Sequence, residues 1–195
     1  MAIKNKILKL ISLLTIALMG SCTPEKGGPN SNPFYGYSLF LSFQDESRND
    51  LVDGIEFDNW EGYTTKKDAI FGAVKPDLYL LEIVFPDGMK NPGKPDPMLG
   101  IVKGEYASDD YYYLTFGTSS YRNQPFEEKI TFRVKCPYVF GDNAIHDIVT
   151  WWVYTGNHTF SAKCYRIEFD GKEYTQITYE QGDQMSMATI ILESR

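Results

Sequence analysis

The chain reads as an all-β domain, an antiparallel β-sandwich, standing behind an N-terminal leader that is not part of the fold. Three observations predict this. After Pro33 apolar and polar residues alternate in short runs, with no sustained 3.6-residue or heptad period. Those runs are rich in aromatic and β-branched residues and are broken by turn residues every 8–12 positions or so, the spacing of sandwiches and barrels. Asp170-Gly171 sits between two alternating runs, which favours a two-residue type I′ hairpin.

Leu39, Leu41 and Phe43 alternate in a first strand, and Asp45 to Asp50 turns the chain. Leu51, Ile55 and Phe57 suggest a second strand, and Tyr79, Leu81, Ile83 and Phe85 mark another. Pro86 to Pro97 carries four prolines and two glycines, which excludes an interior strand and leaves a stiff loop. Further strands are expected near 99–106, 110–117, 128–136, 148–154, 159–169, 172–179 and 185–192. In the last hairpin, Phe169 should pair with Lys172, and Glu168 should stand opposite Glu173. An immunoglobulin-like or a transthyretin-like arrangement would accommodate this many short strands.

The leader has the parts of a secretory signal. Lys4, Lys6 and Lys9 are followed by the largely apolar Ile11 to Leu18, then by Met19-Gly20-Ser21-Cys22, with no acid before Glu25. The apolar run falls short of the roughly 20 residues that a membrane-spanning helix needs. Met19 to Cys22 resembles the bacterial lipobox, which implies that Cys22 is lipidated and becomes the first residue of the mature chain. More than one acyl chain anchors stably where a single chain binds marginally. Thr23 to Pro33, with three Pro and two Gly, then reads as a flexible tether. The organisation expected is a signal peptide over 1–21, a lipidated Cys and tether over 22–34, and one domain over 35–195.

Of 19 basic residues, three leave with the leader, so 16 face 26 acids in the mature chain, formally −10. That excess argues against nucleic acid and against electrostatic docking on anionic lipid. With Cys22 lipidated, Cys136 and Cys164 remain as a possible disulfide in an oxidising compartment. Strand phase opposes the pairing. Cys136 shares a face with Ile130, Phe132 and Val134, whereas Cys164 lies opposite Tyr165, Ile167 and Phe169. A bulge would be needed to turn it round.

Two stretches carry a wider resemblance. Ser38 to Asp45, ending in Leu51-Val-Asp-Gly-Ile55, looks like the opening hairpin of small exported β-sandwich modules. With Lys135 to Asp142 and Cys164 to Gly171, the chain resembles small lipoproteins of Bacteroides-type gut bacteria. The resemblance implies a cell-envelope location, at the outer membrane, and a fold class; it implies no activity and no functional residue.

Catalytic signatures are sparse. Gly117-Thr118-Ser119-Ser120 does not complete a nucleophile elbow, and neither His146 nor His158 is placed beside a serine by sequence. Cys136, His146, His158 and Cys164 match no compact zinc spacing. Asp45, Ser47 and Asn49 begin like a calcium loop with Glu56 at the twelfth place. Asp50, however, stands where Gly is required, and Leu51 to Phe57 reads as a strand where a helix should follow. No metal or cofactor is expected. Glu168 and Glu173, about 5 Å apart across a hairpin, have a spacing that suits a retaining glycosidase, or form a solvated rim relieved by Arg166 and Lys172.

Aromatic residues are the best binding candidates. In Ile148 to Tyr154, Val149, Trp151 and Val153 form the more uniformly apolar face, which puts Trp151 in the core. Trp152 and Tyr154 then face outward with Thr150 and, with Trp60, could stack on sugar rings or anchor a protein partner. The expectation is a non-enzymatic, lipid-anchored envelope protein with a binding or structural domain for a protein or glycan partner. The alternatives are a carbohydrate-binding accessory module and, behind it, a carboxylate glycan hydrolase.

Overall fold

The computed structural model describes residues 34–64, 66–86, 97–104, 110–121, 126–154, 161–174, 177–180 and 185–193. Its longest strand, β1 (Phe34–Gln44), turns Tyr37, Leu39, Leu41 and Phe43 inward, each at most 1% exposed. One edge of β1 pairs antiparallel with β6 (Tyr113–Tyr121). Its other edge is shared. Gly36 and Tyr37 pair with the start of β9 (Ser161–Phe169), and Leu39 to Gln44 pair with β12 (Met185–Ile191), both in parallel. The all-β class is therefore observed, but the sheet is mixed and not purely antiparallel.

The remaining strands extend both ways from β1. β2 (Phe57–Asn59), β3 (Ile70–Val74) and β5 (Leu99–Lys103) continue beyond β6 in the order β2-β3-β5-β6. β8 (His146–Tyr154), β7 (Phe126–Lys135) and β4 (Leu80–Val84) continue beyond β9. β10 (Lys172–Tyr174) pairs with β9, and β11 (Thr178–Glu180) with β12. Phe116 of β6 and Phe132 of β7 lie four places apart on this path, roughly 19 Å in a flat sheet. Their ring centroids are 5.6 Å apart, so the sheet folds over and both halves bury one core.

The Asp170-Gly171 hairpin forms in the expected register. Both residues have positive φ, 48° and 81°, as a type I′ turn requires, and Glu168 stands opposite Glu173. The strand expected over Leu51 to Phe57 is instead a turn that plugs the core. Asp50 Oδ1 accepts from Val52 N at 2.9 Å, Ile55 N donates to Val52 O at 3.1 Å, and Gly54 has φ +82°. Val52 and Ile55 are buried by that turn and not by a pleat. Pairing begins only at Phe57, against a β3 that the alternation did not reveal. Residues 87–96 of the proline-rich loop lie outside the described residues.

The assignment of the two indoles is reversed. Trp152 is fully buried, and Trp151 is half-buried beneath the Arg166 guanidinium, 4.4 Å from its ring. Ile148, Thr150 and Trp152 form the inward face of β8. Thr150 reads as a surface residue, yet its hydroxyl donates to Ile130 O at 2.9 Å and accepts from Trp152 Nε1 at 2.6 Å. A buried indole needs an acceptor, and the threonine supplies it. Trp152 is therefore not an outward platform. The side chain of Tyr154 lies outside the described residues.

A bulge does occur in β9. Trp151 pairs with Arg166 and Trp152 with Cys164, so Tyr165 is extra and Cys164 turns inward. It still makes no disulfide; Cys136 and Cys164 are both buried thiols. Cys164 lies level with Trp152 and Glu128, and Cys136 is eight residues further along β7. At 3.3 Å per residue that is roughly 26 Å, far beyond the ~7 Å that a disulfide spans.

Two stability predictions follow from these buried groups. Thr150→Val keeps the shape but strands the indole N–H, and should cost about 1–3 kcal/mol in urea unfolding, with Thr150→Ser close to the parent. Burial raises the Cys164 thiol from 9.0 to about 12. The folded chain therefore keeps a proton that the unfolded chain releases. This contribution is fully present below pH 9 and declines by about 1.4 kcal/mol per pH unit as the pH rises toward 12. The fall in urea midpoint above pH 9 should be shallower in Cys164→Ala.

Candidate ligand-binding cleft

Four chain segments meet beyond the C-terminal end of β1. The first is a single helical turn, α1 (Pro137–Phe140), which follows β7. Pro137 occupies its first turn, and Gly141 ends it in the left-handed region at φ +73°, its N–H donating to Pro137 O at 2.9 Å. This turn sends Val139 and Phe140 into the core and leaves Tyr138 half exposed, its hydroxyl donating to Asp53 O at 2.7 Å. The second segment is the β9–β10 hairpin. The other two are the Asp45 turn after β1 and residues 192–193 after β12.

His146, the first residue of β8, ties the first two segments together. Its ring is 3% exposed, with Nδ1 2.7 Å from Asp170 Oδ2 and Nε2 3.0 Å from Asp142 Oδ1. Both ring nitrogens thus stand at hydrogen-bond distance from a carboxylate oxygen. Phe169 stacks on the ring at 5.4 Å and 10°, and Phe140 lies 4.4 Å away. Asp170 also accepts from Asp147 N at 3.1 Å, and its own N–H donates to Asp147 O at 3.0 Å. The hairpin turn, the start of β8 and the loop after α1 thus form one hydrogen-bonded knot.

Between these segments lies a cleft of about 620 Å³. Val139, Phe140, Phe169, Ile191 and Leu192 form its apolar floor, and Asp45, Tyr138, Asp170, Lys172, Tyr174 and Glu193 its polar rim. Lys172 Nζ reaches across to Glu193 Oε1 at 2.9 Å and lies 5.9 Å from the centre of the Tyr174 ring. That hydrogen bond raises the lysine and lowers the glutamate from their ordinary values. Burial raises the Tyr174 phenol, whose hydroxyl donates to Ile191 O at 3.1 Å. Asp45 is lowered chiefly by the Asn49 side chain, which donates to it at 2.7 Å; the Asn49 main chain donates at 2.8 Å. Asp45, Ser47 and Asn49 therefore build a polar turn. Among the described residues no three His, Cys, Asp or Glu side chains are grouped to hold a metal.

Of the ligand-binding residues read from sequence, Trp60 and Trp152 are not among the described residues that line this cleft. Trp60 is half-buried at the β2–β3 edge, 5.2 Å from Phe71 and 5.8 Å from Tyr63, itself 58% exposed. Trp152 is interior, and Cys22 and His158 lie outside the described residues. Glu168 and Glu173 are brought together as the register requires, but Arg166 Nη2 bridges them at 2.6 and 3.0 Å. The knot was missed because Asp170 lies in a turn 24 residues beyond His146. The local signal available was Asp142 four residues before His146.

Comparison with protein-family models, curated proteins and solved structures finds no match.

His146→Ala would leave two carboxylates around a void between Phe140 and Phe169. A loss of about 3 kcal/mol or more is expected in chemical denaturation. A loss below 1 kcal/mol would show that the knot does not stabilise this end of the domain.

Proposed function

We propose that this chain is an exported lipoprotein, held to the bacterial envelope through Cys22, whose non-catalytic β-sandwich domain binds a partner in the cleft. The sandwich reading is supported by the Phe116–Phe132 contact, which brings two halves of one sheet face to face. The anchor rests on Lys4 to Lys9, the short apolar run and Met19-Gly20-Ser21-Cys22, followed by the Pro/Gly tether. An outer-membrane position is what the resemblance of Ser38 to Asp45, Leu51 to Ile55, Lys135 to Asp142 and Cys164 to Gly171 to small Bacteroides-type lipoproteins implies.

The observation that favours binding over catalysis is the state of the rim. Its polar groups are already engaged: His146 with two carboxylates, Lys172 with Glu193, and the Tyr138 and Tyr174 hydroxyls with main-chain carbonyls. Acid–base or nucleophilic work needs a group poised toward substrate. A concave surface with an apolar floor and a paired polar rim suits recognition. Glycan binding rests on Trp60 with Tyr63 and Phe71, since Trp152 is interior. Hydrolysis by Glu168 and Glu173 is the weakest reading, because Arg166 holds both carboxylates.

Labelled palmitate should enter the parent chain in a bacterial host and be absent from Cys22→Ala. Equal labelling of the two would remove the anchor from this reading.

A further inference from the structure

We infer that the cleft receives an ammonium group, the side chain of a lysine on a partner protein, and that Lys172 occupies the place of that group in the free domain. The inference rests on the reading of the cleft as a binding site and names what it binds.

Charge is the first argument. The rim carries Asp45, Asp170 and Glu193 against Lys172, with His146 set behind Asp170. An anionic ligand would meet three carboxylates, whereas a cation would be drawn in. The second argument is that an ammonium already sits there. Lys172 Nζ is held by Glu193 at 2.9 Å and lies 5.9 Å from the Tyr174 ring centre, a carboxylate and an aromatic face that both attract an ammonium. Both side chains are well exposed, at 56% and 75%. A pair of that kind is worth about 0–1 kcal/mol, so an incoming lysine displaces it at little cost.

Volume and position agree. A cleft of about 620 Å³ has room for more than one side-chain head, so a partner lysine can enter with its aliphatic stem against Phe140 and Leu192. Strand β1 separates the cleft from the point where the tether joins. From Phe34 to Asp45 the chain runs roughly 35 Å at 3.3 Å per residue.

The test uses the full chain in non-ionic detergent, with amide chemical shifts of residues 138–141 and 170–174 followed by NMR. The probes are acetyl-Gly-Lys-Gly-amide, its norleucine analogue, its Glu analogue and a neutral oligosaccharide. Saturable shifts with the Lys peptide alone are expected. Lys172→Ala should tighten its binding about two- to fivefold, the conversion of a surface pair's energy. Lys67→Ala, an equal charge change at an exposed site outside the cleft, should leave affinity unchanged. Glu193→Gln should weaken binding. Equal shifts with norleucine, no shifts with the Lys peptide, or unchanged affinity in Lys172→Ala would overturn the inference. Saccharide binding with the Lys peptide silent would also overturn it while keeping the cleft as a binding site. Silence of every probe alongside normal palmitate labelling would count against the cleft and leave the anchor standing.

Discussion

The inward column of β1, Tyr37, Leu39, Leu41 and Phe43, is the packing constraint from which both halves of the sheet take their positions. Tyr37 meets Trp152 edge-on at 5.3 Å, and Phe43 meets Phe140 and Phe169 at 5.3 and 5.9 Å. One strand thus touches the core near the start of β9 and the floor of the cleft near its end. Edge-to-face contacts of this kind are directional and fix ring planes as well as depth. The orientation of α1 and of the β9–β10 hairpin follows from where Phe43 places Phe140 and Phe169.

Sequence carried the parts of the fold governed by local rules. The Asp170-Gly171 turn, the Glu168–Glu173 pairing and most strand positions depend on period-two alternation and on which residues accept positive φ. The failures arise where a side chain's partner overrides its hydropathy. Thr150 lies inside because a buried indole needs its hydroxyl, and that one bond reverses the face of β8. Asp50 pulls Leu51 to Ile55 into a turn by accepting from Val52 N, while its other oxygen accepts from Tyr112 N at 2.7 Å. The cysteine pairing failed for a different reason, since separation along a strand is invisible until register is known.

The cleft was least legible. Its residues come from positions 45, 138–146, 169–174 and 191–193, and no local pattern connects these stretches. What could be read was chemistry without placement: an Asp four residues before a His, an Asp in a tight hairpin, a Lys beside a Tyr. Tertiary structure converts them into a knot and a rim. Once His146 is held between Asp142 and Asp170, the hairpin cannot move without disturbing the loop after α1, and the walls of the cleft become one mechanical unit.

The parallel pairing of β1 with β12 sets the order in which the domain can be completed. Leu39 lies beside Ser186, and the ladder continues to Gln44 beside Ile191, 147 residues away in sequence. Contacts of such sequence separation carry a large loop-closure cost and form slowly. When the chain emerges N-terminus first, β1 is among the first strands to appear, yet half of one edge waits for the last strand to arrive. Until then the cleft lacks the wall that Ile191 to Glu193 provide. Completion of the cleft is thereby coupled to the emergence of β12, and chains cut before that strand present an open β1 edge in its place.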